Sequence, residues 1–100
     1  LRQIGVEFSL TFGQLMNLAL DSRRRWFEAE ILNPSALPVN VTLHVAGLWG
    51  ERVAIEGTGE RQVLGVVNGG IQAALTLPPG ATIRVRGEVT GDSAPDAGIR

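Results

Sequence analysis

Between Trp26 and Gly47 the chain reads WFEAEILNPSALPVNVTLHVAG, two alternating apolar segments joined by a proline-containing loop. Phe27, Ala29 and Ile31 share one face of the first segment, and Val39, Val41, Leu43 and Val45 share one face of the second. A period of two is what a strand with one buried face produces, because successive side chains leave opposite sides of the pleat. The connecting residues, Asn33-Pro34-Ser35-Ala36-Leu37-Pro38, are too many for the two-residue turn of a tight hairpin. Their prolines interrupt a helix and cannot donate to a ladder. The loop therefore predicts a crossover, with residues 26–32 in one sheet and 39–46 in another.

The remaining segments repeat that pattern. Ile4, Val6, Phe8, Leu10 and Phe12 alternate with small or polar residues, predicting a first strand over residues 4–12. Residues 14–20 suit a short helix or a strand, and the parity of Met16, Leu18 and Leu20 favours a strand that pairs with residues 25–32 around the polar tip Asp21–Arg24. Leu48–Glu51 reads as a turn carrying Trp49, followed by a short strand over 52–57 and another polar turn. Residues 63–67 and 71–77 flank Asn68-Gly69-Gly70, a hairpin signal because Asn and Gly accept positive φ. Pro78-Pro79-Gly80 stops that strand, and a last one runs from Ala81 to Val89. Seven or eight short strands with regular turn signals predict an all-β antiparallel sandwich or small barrel over residues 1–90, with 91–100 as a polar tail. Its core is predicted from Phe27, Ile31, Val41, Leu43, Val45, Ile83 and Val85, with Phe8 and Leu75 against them.

Composition narrows the function classes. A 100-residue chain with 44% apolar residues and net charge −1 has the balance of an ordinary globular domain. There is no cysteine and a single histidine, His44, so no disulfide, thiolate site or zinc centre is expected. No apolar run reaches the ~20 residues of a membrane span. A carboxylate pair, Glu28 and Glu30, lies on one face of one strand, whereas glycosidase carboxylates flank a cleft from separate elements. No catalytic residue, cofactor or metal is therefore predicted.

Two stretches resemble known families. Ile31-Leu32-Asn33-Pro34 followed by Pro38-Val39-Asn40-Val41, and then Val53-Ala54-Ile55-Glu56-Gly57, resemble the water-stress (WHy) domain of late-embryogenesis-abundant proteins. Leu77-Pro78-Pro79-Gly80-Ala81-Thr82 is similar to the closing hairpin of CARDB-type adhesion modules. What the resemblance implies is a non-catalytic, immunoglobulin-like antiparallel β-sandwich of seven or eight short strands, extracytoplasmic or part of a cell-surface protein, acting as a structural or protein-interaction module. The alternatives are a subunit of a surface filament or virus particle assembled by strand pairing, and a small ligand-binding barrel or stress-protective domain.

Four candidate features remain. Arg23-Arg24-Arg25 beside Trp26 is either a solvated hairpin tip or a clamp for an acidic protein patch or an anionic surface; the slightly negative net charge and the lack of a broad basic face argue against nucleic acid. Trp49 is an exposed aromatic. Ile4, Val6, Phe8, Leu10 and Phe12 either belong to the chain's own sandwich or pair with the edge of a neighbouring molecule. Asn40-Val41-Thr42 is a glycosylation sequon, which matters only if the chain is exported.

Overall fold

The computed structural model describes residues 2, 3, 5–57 and 59–90, with the backbone alone at 2 and 3. Among the described residues eight strands follow the two-residue segment β1 (Arg2–Gln3). They are β2 (Val6–Leu10), β3 (Gln14–Leu20), β4 (Trp26–Leu32), β5 (Val39–Ala46), β6 (Arg52–Glu56), β7 (Gln62–Gly65), β8 (Gly70–Leu77) and β9 (Thr82–Thr90). Two antiparallel sheets result, one ordered β1-β2-β5-β8 (sheet A) and the other β3-β4-β9-β6-β7 (sheet B). The protein is an all-β sandwich, as the alternation predicted. The ambiguous stretch 14–20 is a strand and pairs with β4.

The strand order follows from a rolled-up hairpin. β6 pairs with β7 across a short loop, β5 with β8 outside that pair, and β4 with β9 outside both. The nested pairs alternate between sheets B, A and B, which is the winding that builds jelly rolls. The sandwich architecture is shared with immunoglobulin-like domains.

The Pro-containing loop is the crossover that its sequence predicts, since β4 lies in sheet B and β5 in sheet A. Its partner is the Pro78–Ala81 turn, which carries the chain from β8 back to β9. Asn33, fully buried, ties the two together. Its side-chain Nδ2 donates to the carbonyls of Leu37 at 2.8 Å and Leu77 at 3.0 Å. Its Oδ1 accepts from the Ser35 amide at 2.8 Å, and its own amide donates to Ala81. Gly80 donates in turn to the Ser35 carbonyl.

Between the sheets sits one core. Val6 and Phe8 from β2, Val41, Leu43 and Val45 from β5, and Ile71, Ala73, Leu75 and Leu77 from β8 meet Phe27, Ala29 and Ile31, Val53 and Ile55, and Val85 and Val89. Ile83, expected in this core, is only partly buried against it. The Phe8 and Phe27 rings meet edge to face, 5.9 Å between centroids and 69° between planes.

The first strand is shorter than its alternation suggested. Gly5 has φ of +77° and turns the chain so that β1 folds back on β2. Val6 and Phe8 are buried, Leu10 is partly buried, and Phe12 lies past the end of the strand with 40% of its surface exposed. Ile4 lies outside the described residues, as does the tail 91–100. The hairpin expected around Asn68-Gly69 is also corrected. Val67 and Gly70 exchange both backbone hydrogen bonds around Asn68 (φ 53°) and Gly69 (φ 79°), so the tight turn forms. The flanking strands then diverge, because Val66 is held by the Glu51 carbonyl on the side of sheet B while β8 pairs with β5 in sheet A. Only the Val67–Gly70 bridge remains of the expected ladder.

Candidate interaction surface

The arginine run and both tryptophans lie around one end of the sandwich, where the β3–β4 turn meets the β5–β6 loop. Asp21 shapes the turn. Its carbonyl accepts from the Arg24 amide at 2.9 Å and its Oδ2 accepts from the Arg25 amide at 3.1 Å. Arg24 consequently adopts φ of +60°, the left-handed region that non-glycine residues rarely enter. Its carbonyl then accepts from the Trp49 amide at 3.0 Å, and the Arg25 carbonyl accepts from Val89 at 2.7 Å. The two loops are thus joined through the main chain. Buried Leu48 pins the β5–β6 loop to the core from beneath.

The pairing of cations with aromatic rings differs from the sequence order. Arg24 stands over Trp49, its guanidinium carbon 5.0 Å from the ring centroid, whereas Trp26 is covered by Arg86 of β9 at 4.9 Å. Strand parity causes this. Trp26 points to the outer face of sheet B, where β9 supplies its neighbour, and Arg24 belongs to the turn. Gly5 lies under the Arg24 guanidinium, and a Cβ there would collide with it. Trp49 remains 44% exposed, Arg23 is exposed, and Arg25 and Trp26 are half-buried. Arg86, which completes the second pair, was not singled out in the sequence; its signal was its register opposite β4.

Elsewhere the outer faces of the two sheets differ. On sheet B, Arg84 contacts Glu30 at 3.4 Å, and Arg86 reaches Glu28 at 3.8 Å and Glu88 at 3.7 Å. The Glu28–Glu30 pair is therefore engaged by arginines on a flat face. On sheet A, β5 and β8 carry no charged residue. The sequon residue Asn40 is exposed there, its Oδ1 accepting from the Thr76 hydroxyl at 2.7 Å. His44 borders an open cleft of about 580 Å³ with Gln72, Asn68 and Leu64. Among the described residues no cluster of three or more His, Asp or Glu could hold a metal ion, and no helix is long and apolar enough to cross a membrane.

What the fold and surface define is an antiparallel β-sandwich with an arginine–tryptophan end. No protein-family model matches the chain, and no curated protein and no solved structure matches it.

Proposed function

We propose that this domain is a non-catalytic structural or protein-interaction module of an extracytoplasmic or cell-surface protein, and that its arginine–tryptophan end takes an acidic protein patch. The observation that carries the reading is Trp49, left 44% exposed yet held in place by the Arg24 guanidinium and the Arg24 carbonyl. Aromatic and arginine side chains dominate the energetics of protein interfaces, and a side chain already ordered loses less entropy on binding. The exposed Arg23 adds positive charge beside it. The sole histidine lies on sheet A and the Glu28–Glu30 carboxylates on sheet B, engaged by arginines. That arrangement favours recognition over catalysis, which needs groups converging on one site.

The test uses the Trp26→Phe variant, which leaves Trp49 as the only tryptophan. Titration with an oligoglutamate peptide at low salt is expected to change its fluorescence, and adding Arg23→Ala and Arg24→Ala should weaken that response at least about fivefold, roughly 1 kcal/mol. A flat titration would refute the acidic-patch reading. An equal response to a single-stranded oligonucleotide of matched charge would move the reading to nucleic acid.

A further inference from the structure

The four sheet edges are not equally protected. β2 is partly covered by β1, through Arg2 opposite Glu7 and Gln3 opposite Val6. The free side of β8 is approached by the β7 segment, where Gln62 Nε2 donates to the Ala74 carbonyl at 3.0 Å and Val67 bridges Gly70. β7 has four residues and follows the charged pair Glu60-Arg61. β3 is different. It is seven residues long, it pairs with β4 alone among the described strands, and its sequence QLMNLAL contains neither a charge nor a proline.

Edge strands of soluble proteins are normally blunted by charge, proline, shortness or a bulge. Of these β3 has only the bulge between Leu15 and Asn17, which interrupts the ladder at Met16 and leaves Asn17–Leu20 regular. Leu18 and Leu20 face the core side yet stay partly exposed. Met16 at 57% and Phe12 at 40% exposure lie at the strand's beginning.

We propose that β3 is a self-association edge, pairing antiparallel with β3 of a second copy of this chain so that two B sheets become one. The partner is identified by charge. In a two-fold pairing each residue near the axis meets its own kind, so a charged edge would face like charge, which is unfavourable directly across strands. An edge without charge meets no such penalty. A two-fold axis at Ala19 sets Ala19 opposite Ala19 on the outer face and Leu18 of each copy opposite Leu20 of the other on the core side. The four regular residues per strand are fewer than a standard interface needs, so the dimer is weak and concentration-dependent.

Sedimentation velocity of the full chain from about 5 µM to about 1 mM is expected to show a monomer–dimer equilibrium. Ala19 is exposed, so Ala19→Lys leaves the fold intact and should weaken dimerisation at least about tenfold by placing lysines together on the axis. The chain has no cysteine of its own, which permits a second measurement. Residues facing each other across an antiparallel pair lie within the Cα separation of a disulfide, so Ala19→Cys should oxidise to a covalent dimer while Ser9→Cys, on exposed sheet A, should not. A monomer at every concentration, a dimer indifferent to Ala19→Lys, or cross-linking at Ser9→Cys in place of Ala19→Cys would each overturn the proposal. The last of these would assign the contact to sheet A.

Discussion

Asn33 holds both crossovers at one end of the sandwich with a single side chain. Both Nδ2 hydrogens and the Oδ1 acceptor are engaged, and the residue has no exposed surface. Replacing it by alanine would remove the side-chain bonds to the Leu37 and Leu77 carbonyls and leave the Ser35 amide without the oxygen that accepts from it. At about 1–3 kcal/mol for each buried group left unpaired, Asn33→Ala should lose about 3 kcal/mol, read as a lower urea midpoint with unchanged slope. Asn33→Asp should be no better, since a carboxylate would turn an acceptor toward two carbonyls. The sequence showed the crossover but not this role. An asparagine beside proline reads as turn chemistry, and nothing in its spacing says that the turn is folded inward.

At the scale of elements, the legible strands were those with one face buried along their whole length. β4, β5, β8 and β9 alternate cleanly, and the core residues read from them are nearly those observed. Alternation failed where the backbone changes direction without changing the pattern, as at Gly5, and where a turn fixes reversal but not sheet membership, as at Asn68-Gly69. The candidate surface was legible in its residues and not in its pairings, since Trp26–Arg86 depends on β4–β9 register. That register has a further consequence at Gly87, which stands on the core face of β9 opposite Phe27. A Cβ there would collide with the Phe27 ring, so the glycine makes room for the aromatic that meets Phe8 edge to face. Gly87→Ala should destabilise the domain by about 1–3 kcal/mol, an overpacking penalty. Coupling tests the cause. Phe27→Leu should cost at least about 0.5 kcal/mol less in the Gly87→Ala background than in the native chain, a non-additivity expected of touching residues, measured by a urea double-mutant cycle.

For the whole molecule, nested pairing makes two connections of similar length behave differently. The loop over residues 57–61 closes the innermost β6–β7 pair, and Gly59 at its tip has open space around it. The loop over residues 33–38 joins the sheets and is bonded through Asn33 and Ser35 to the β8–β9 turn. Adding chain at a point with open space around it, as at Gly59, costs mainly closure entropy, about 0.6 kcal/mol for each doubling of length. A five-residue Gly-Ser insertion after Gly59 should therefore lower stability by about that amount. The same insertion after Ala36 must also displace Leu37 from the buried Asn33 side chain, leaving one Nδ2 hydrogen unpaired, and disturb the Ser35–Gly80 bond. Its cost should exceed the first by at least about 1–3 kcal/mol. Urea unfolding of the two insertion variants, followed by tryptophan fluorescence, gives the comparison directly. Equal losses would mean that the 33–38 loop is a passive link and that Asn33 does not hold the two crossovers together.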